Sequence, residues 1–487
     1  YHHIVSGVRN GRIDEKDLDA CVLRTLQFRE EMGLLDHPFV DPEKAVEVFA
    51  DPKADELSEE VAQKSITLLK NNGVLPLKKD IRKIAIIGPF ADRRFPFYGG
   101  YGYPAMMGSF LEASLNPAAF VMEGFEDLIN NLLDIPSLKE KMYKDPSKPF
   151  SENMEDYLRD DLKTPSFLDA FRLAYPESEV VAVSVGNDLK HFDAQLEEAL
   201  KAAAEADVVI FAAGEITGQG SEATSGEGVN NPDLELPFRQ QDVLEALHTL
   251  EVPIVLLLTS GRAFALGKAE PLCDAIVENW YPGPAGGKPA VNVISGAFNP
   301  TGHLPVTFPQ ISSQCPIYYY HHTGSGYMNI HQRPDKSVLQ PLYPFGYGLS
   351  YTTFEMTDFQ YDKEVETGAA FTCSVKVRNT GERKGSHLVQ IYTHSKHPTV
   401  NRPIKELRAW KQVELEAGEE KTVKFTLDTR QFGYLNWKNE FVIEARPQEI
   451  FVCSDSSTIV DRGEIAFVGK DREILHDRVY NFTAEEL

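Results

Sequence analysis

Residues Gln195–Gly214 read QLEEALKAAAEADVVIFAAG. The stretch up to Ala206 is built from alanine, leucine, glutamate and lysine, the strongest helix formers, and predicts a helix over 195–206. Asp207 then gives way to Val208-Val209-Ile210-Phe211-Ala212-Ala213, a continuous apolar run closed by Gly214. A strand apolar on both faces belongs inside a sheet that helices cover on both sides. The same pairing recurs outward from this point. Ile84 to Ile87, closed by Gly88 and Pro89, reads as a buried strand, as do Val180 to Val185, Ile254 to Leu258 and Ala275 to Trp280. Residues 238–250 and Ala285 to Ile294 read as helices, and Leu57, Val61, Ile66 and Leu69 mark another. Strands alternating with helices over 54–310 predict an α/β domain with a mostly parallel sheet.

Upstream, Asp14 caps a predicted helix carrying Leu18, Cys21, Val22, Thr25 and Leu26, and Gly33 stops it. One amphipathic helix cannot bury its stripe alone, so residues 1–36 are expected to close something that precedes them. Tyr1 is not an initiator residue, and periplasmic, secreted and cytoplasmic placements all stay open. Residues 37–53 read as a linker. Residues 104–165 break the α/β rhythm with helical pieces such as Phe125 to Leu133, and are expected as an inserted surface decoration. A site rim or a homo-oligomer contact is the alternative. A connector rich in Tyr, Gly and Pro covers 311–353.

Beyond Phe354 the period becomes two. Phe371, Cys373, Val375 and Val377 alternate with polar residues before the turn Asn379-Thr380-Gly381. Val389 and Ile391, Val423 to Leu427, Phe441 to Ile443 and Ile450 to Val452 follow, predicting an antiparallel β-sandwich over 354–470. Residues 471–487 read as a charged tail, in which Asn481-Phe482-Thr483 is a chance match to a glycosylation acceptor.

Composition bounds the function. The 487 residues are 42% apolar and 25% charged, the mix of an ordinary globular protein. No run approaches the roughly 18 to 20 apolar residues of a bilayer span, so no membrane segment is expected. A net charge of −24 repels phosphate backbones and argues against nucleic acid. Five scattered cysteines, with no CxxC pair or Cys/His cluster, predict neither a disulfide framework nor a metal site.

In open α/β sheets ligands bind beyond the carboxyl ends of the strands. The loop from Gly214 to about Leu236 stands out there for its length, its glycines and its carboxylates Glu215, Glu222, Glu227, Asp233 and Glu235. Composition alone singles out none of the five and fits a solvated acidic loop at least as well. Gly99, Gly100 and Gly102 among Tyr98, Tyr101 and Tyr103 read as a tight turn packed by rings, more readily than as an aromatic platform for a sugar. Trp280-Tyr281-Pro282-Gly283 reads as packing.

Longer motifs carry a resemblance. Lys64-Ser65-Ile66-Thr67-Leu68-Leu69-Lys70-Asn71 with Leu75-Pro76-Leu77, and Lys83 to Pro89 with Asp92, are similar to the second domain of glycoside hydrolase family 3. Ser260-Gly261-Arg262, Trp280 to Gly283, Gly286-Gly287, Asn299 to Pro309 and, most specifically, Tyr343 to Thr352 continue the likeness. Val377 to Gly381, Gly385 and Val389 to Tyr392 resemble the family's fibronectin type III-like domain. The resemblance implies an (α/β)6 sandwich followed by that domain. Residues 1–36 would hold the last helix of a preceding (β/α)8-type barrel.

It also implies a retaining exo-acting β-glycosidase acting on β-linked oligosaccharides or glycosides without a cofactor. β-Glucosidase is the first expectation, with β-xylosidase or a broader β-glycosidase next to it. The nucleophile is expected on the barrel and the acid/base glutamate on the sandwich-domain loop, ahead of a Leu-Pro and a Gln. Glu227, with Leu236-Pro237 and Gln240, matches that pattern, and Glu222 is the fallback if the loop shifts register. Asn230-Asn231 stands where relatives carry an Arg. A non-catalytic carbohydrate-binding or interaction module is the reading of another class.

Overall fold

The computed structural model describes residues 1–116, 135–218, 220–322 and 340–487. The expected helical piece Phe125 to Leu133, and part of the 311–353 connector, lie outside them. The chain divides into two compact units, residues 1–57 and 58–487.

The first unit is helical. Asp14 caps the helix Glu15–Glu31 by accepting from the Lys16 amide at 3.0 Å, and Gly33 follows at φ +69°. A further helix, His2–Arg9, precedes it. The expected linker holds the helix Pro42–Phe49, which Asp41 caps and Pro42 opens, so Asp-Pro acts here as a helix start. The helix Glu15–Glu31 buries none of its residues in this chain, and Val22, Leu23, Leu26 and Phe28 stay exposed.

The second unit opens with a six-stranded sheet: β1 Thr67–Asn71, β2 Lys83–Ile87, β3 Glu179–Val183, β4 Val208–Gly214, β5 Ile254–Thr259 and β6 Ala275–Glu278. The order is β1-β6-β5-β4-β2-β3, parallel except for β1, which runs antiparallel to β6. The expected strands and the mostly parallel sheet are present. The helix expected through Ile66 and Leu69 is not: the helix Pro52–Ser65 stops, and β1 begins two residues later. Leu68 and Leu69 are buried on opposite faces of β1, with Ile66 buried just before it, and such a run carries no period that separates helix from strand.

Alternate residues feed two cores. Ile84, Ile86, Val208, Ile210, Val255 and Leu257 face one layer. Ala85, Ile87, Val209, Phe211, Leu256 and Leu258 face the other. The 104–165 insertion is not surface decoration. Its described helices, Tyr103–Leu115, Ile135–Met142 and Phe150–Asp160, place Leu111, Met142, Met154 and Leu158 in the first core.

The chain order reverses beside β2, with β3 on one side and β4 on the other. A crevice opens at such a switch point, beyond the carboxyl ends of the two diverging strands. The loops after β2 and β4 therefore emerge side by side.

The all-β part begins at Phe354 with two packed sheets. One has Glu406–Leu415, Gly385–Ser395, Pro447–Cys453, Ile459–Val468 and Glu364–Glu366, in that order. The other has Thr483–Glu486, Glu420–Asp428, Ala370–Asn379 and Phe354–Tyr361. Val375, Val377, Ile391, Phe425 and Val452 fill the space between them. The last residues are not a loose tail, because Thr483–Glu486 pairs antiparallel with Glu420–Asp428, setting Ala484 opposite Phe425.

Candidate functional site

The loop leaving β4 is fixed at its root. Gln240, fully buried, accepts from the Gly214 amide and donates to the Gly214 carbonyl, both at 2.9 Å. Gly214 sits at φ +133°, and a Cβ there would lie 2.0 Å from the Thr259 carbonyl oxygen. The expected Leu-Pro and Gln after the glutamate are thus scaffold: Leu236 and Pro237 pack inward, and Gln240 clamps the strand end.

Glu215 follows immediately and is 1% exposed. It accepts from Arg262 Nε at 2.6 Å, Ser225 Oγ at 2.7 Å, the Gly261 amide at 3.2 Å and the Tyr281 hydroxyl at 3.3 Å. A buried charge demands such compensation. Burial, then the charge of Glu215, pushes the Tyr281 phenol well up, so it stays a neutral donor. The Tyr281 ring closes over Gly99 and Gly261, the packing role expected for that segment.

The limbs of the loop pair with one another. The Thr224 amide donates to the Ile216 carbonyl at 2.8 Å, and the Gly218 amide to the Ser225 carbonyl at 3.0 Å. Beyond Ser225 the chain makes a tight turn in which Gly226 and Val229 exchange two hydrogen bonds of 3.1 Å. Gly226 at φ +138° and Gly228 at φ +76° bracket Glu227. No side chain fits at Gly226, where a Cβ would lie 2.4 Å from the Gly218 carbonyl oxygen. The turn puts Glu227 at an exposed tip.

The loop after β2 meets this tip. Gly100 lies against Gly218, and the Tyr101 hydroxyl donates to Glu227 Oε2 at 2.6 Å. That bond to the carboxylate raises the Tyr101 phenol above its usual value. Tyr98 is buried as a packing ring, but Tyr101 is 70% exposed and reaches the carboxylate. The sequence read this tyrosine-glycine segment as a packed turn before an aromatic platform, and gave Tyr101 no partner. Its partner lies 126 residues away, which no local pattern reports.

The remaining acids are engaged elsewhere. Glu222 pairs with Arg93 Nη2 at 2.8 Å, and Glu235 with Lys268 Nζ at 2.7 Å. Asp233 accepts from the Glu235 amide and Ser312 Oγ, contacts that lower its carboxyl below the usual value. Asn231, at the expected departure from the family pattern, accepts from the Asp233 amide at 3.0 Å and donates to the Thr224 carbonyl at 3.3 Å. Arg93 was not singled out from the sequence, because its partner Glu222 lies 129 residues away.

An α/β sheet with a carboxylate on a glycine-built turn at its switch point, followed by a β-sandwich, is the arrangement that the resemblance to glycoside hydrolase family 3 implies for this chain. Residues 66–351 match the model of the glycosyl hydrolase family 3 C-terminal domain, and 387–456 that of the fibronectin type III-like domain. The chain belongs to glycoside hydrolase family 3. It is 31% identical over 468 residues to a periplasmic β-glucosidase of Salmonella typhimurium, covering 93% of this chain and 56% of that one. It is 30% identical to a β-xylosidase of Formosa agariphila, over 91% of this chain and 54% of that one. A β-glucosidase from Listeria innocua solved with isofagomine superimposes with a TM-score of 0.71 at 26% identity, covering 96% of this chain and 58% of that one. The chain spans about half the length of the curated relatives it matches.

Proposed function

We propose that this chain supplies the acid/base half of a retaining exo-acting β-glycosidase, a β-glucosidase before a β-xylosidase, with Glu227 as the acid/base. The observation that carries the reading is the Gly226–Val229 turn, which presents one carboxylate at the carboxyl edge of the sheet. In this reading a second carboxylate, on a barrel upstream, attacks the anomeric carbon while Glu227 gives its proton to the leaving oxygen. Glu227 then takes a proton from the water that releases the sugar. The two carboxyls of such a pair stand about 5–5.5 Å apart. The part of the relatives that this chain does not span leaves room for the barrel this reading places upstream, and the exposed apolar residues of Glu15–Glu31 fit a surface that another domain covers. The Formosa relative keeps β-xylosidase as the second reading.

The test compares wild type and Glu227→Ala in the chain joined to its upstream region. The variant loses on the order of 10²–10⁴-fold in kcat/KM on alkyl glucosides and cellobiose, whose leaving groups need a proton. It loses far less on dinitrophenyl β-glucoside, and azide restores turnover with β-glucosyl azide as product. Equal losses on both substrates reject Glu227. A wild type silent across a panel of β-glycosides moves the non-catalytic module ahead.

A further inference from the structure

The loop that carries Glu227 is tied to the insertion at two successive residues. Glu112, on the helix Tyr103–Leu115, accepts from the Ser221 amide at 3.1 Å with one carboxylate oxygen and from the Ser221 hydroxyl with the other. Arg93, on the loop after β2, pairs with Glu222 at 2.8 Å and with Glu155 of the helix Phe150–Asp160 at 3.2 Å. Glu155 also accepts from the amides of Arg94 at 2.9 Å and Phe95 at 3.1 Å, fixing the segment that bears Arg93. Burial works against the Arg93 charge, yet Glu222 and Glu155 more than offset it and raise its pKa. Between these ties lies a cavity of about 210 Å³ lined by Phe95, Phe150, Met154 and Ile216, so little else packs there. The other limb of the loop is held by Glu215 through Ser225. The Gly226–Val229 turn follows that limb, so its height over the crevice depends on both anchors.

We infer that Glu112 and Arg93 are positioning residues for the acid/base: acting through Ser221 and Glu222, they hold the outer limb of the loop so that Glu227 meets the leaving oxygen. The inference rests on Glu227 being the acid/base. It gives the insertion a part in leaving-group protonation, which neither its position in the sequence nor its packing announces.

The test uses Glu112→Ala, Ser221→Ala and the double variant, in the chain joined to its upstream region. Displacing a reacting group by about 1 Å costs on the order of 10²-fold, so each single variant is expected to lose roughly 10-fold in kcat/KM on methyl β-glucoside, the quantity compared throughout. On dinitrophenyl β-glucoside, which leaves without a proton, the loss is expected to stay within about 2-fold. The double variant should be no worse than Glu112→Ala, because Ser221→Ala removes only the hydroxyl bond, one of the two that Glu112→Ala removes. Glu112→Gln, which keeps an acceptor, should recover most of the rate, and the melting temperatures of all variants should lie close together. Equal losses on the two substrates, additive losses, or losses that follow melting temperature alone would overturn the inference. Glu227→Ala run in parallel separates the failures. A leaving-group dependence in Glu227→Ala but not in Glu112→Ala rejects the tether alone, and its absence from Glu227→Ala rejects the acid/base reading.

Discussion

At the scale of single residues, the glutamates of one loop do different work because of what surrounds them. Glu215 and Glu227 are twelve positions apart, one sealed under Arg262, the other at the tip of a turn. Removing Arg262 leaves Glu215 charged and buried without its strongest partner. Arg262→Ala is therefore expected to cost about 3–5 kcal/mol in urea unfolding, the usual penalty for breaking a buried pair. A cost below about 1 kcal/mol would mean that Ser225, Gly261 and Tyr281 suffice. Gly226→Ala tests the turn itself. Its φ of +138° and the 2.4 Å approach to the Gly218 oxygen demand a shift of the turn, and the expected outcome is loss of activity with little loss of secondary structure by circular dichroism. Glu227 as the acid/base candidate was legible only through the resemblance to the family, because composition alone left the five acids of its loop equal. Its contact with Tyr101 was not, since that residue reaches it only once β2 and β4 lie side by side.

At the scale of elements, legibility followed the period. β4 and β5, buried on both faces and bounded by Gly214 and Pro253, stood out as short apolar runs. β1 did not, because its residues continue the apolar spacing of the helix before it and its antiparallel direction follows from pairing with β6. The insertion misled in the other direction. Its charged, proline-broken sequence suggests a solvated flap, while its inward side chains belong to the central core. Leu111→Ala discriminates between the two. Leu111 is fully buried in the core that also takes Phe97 and Phe167, so truncation should cost about 2–5 kcal/mol in denaturant unfolding. A flap would tolerate the change within about 0.5 kcal/mol.

At the scale of the whole molecule, the most specific motifs turn out to build the joint between the α/β part and the sandwich. Asn299 accepts from the Tyr351 amide at 2.8 Å and donates to the Lys384 carbonyl at 3.0 Å. Arg383 reaches the Gly296 carbonyl at 2.9 Å and Gln390 the Gly346 carbonyl at 3.1 Å. Two histidines meet at this joint, His303 from the α/β side and His387 from the strand Gly385–Ser395. Burial pushes each down to about 4, partly offset at His303 by its bond to the Thr301 carbonyl, and His387 is lowered further by His303. Both are therefore neutral in the folded protein at neutral pH, while in the unfolded chain each takes up a proton near pH 6.5. As pH falls from 6.5 towards 4, the unfolded chain binds two protons that the native state refuses, and stability drops with each step. The drop is on the order of 1.4 kcal/mol per unit per histidine and levels off below about pH 4. The lowered carboxyls Asp169, Asp428 and Glu444 release their own stabilisation only as pH falls through the carboxylate range, which separates the two effects. His387→Phe keeps the stacking on Phe354 and removes a ring nitrogen that is buried without a partner. The variant should flatten the fall in melting temperature between pH 6.5 and 4 while leaving the steeper fall below it. An unchanged slope in that window would place the acid sensitivity elsewhere than at His387.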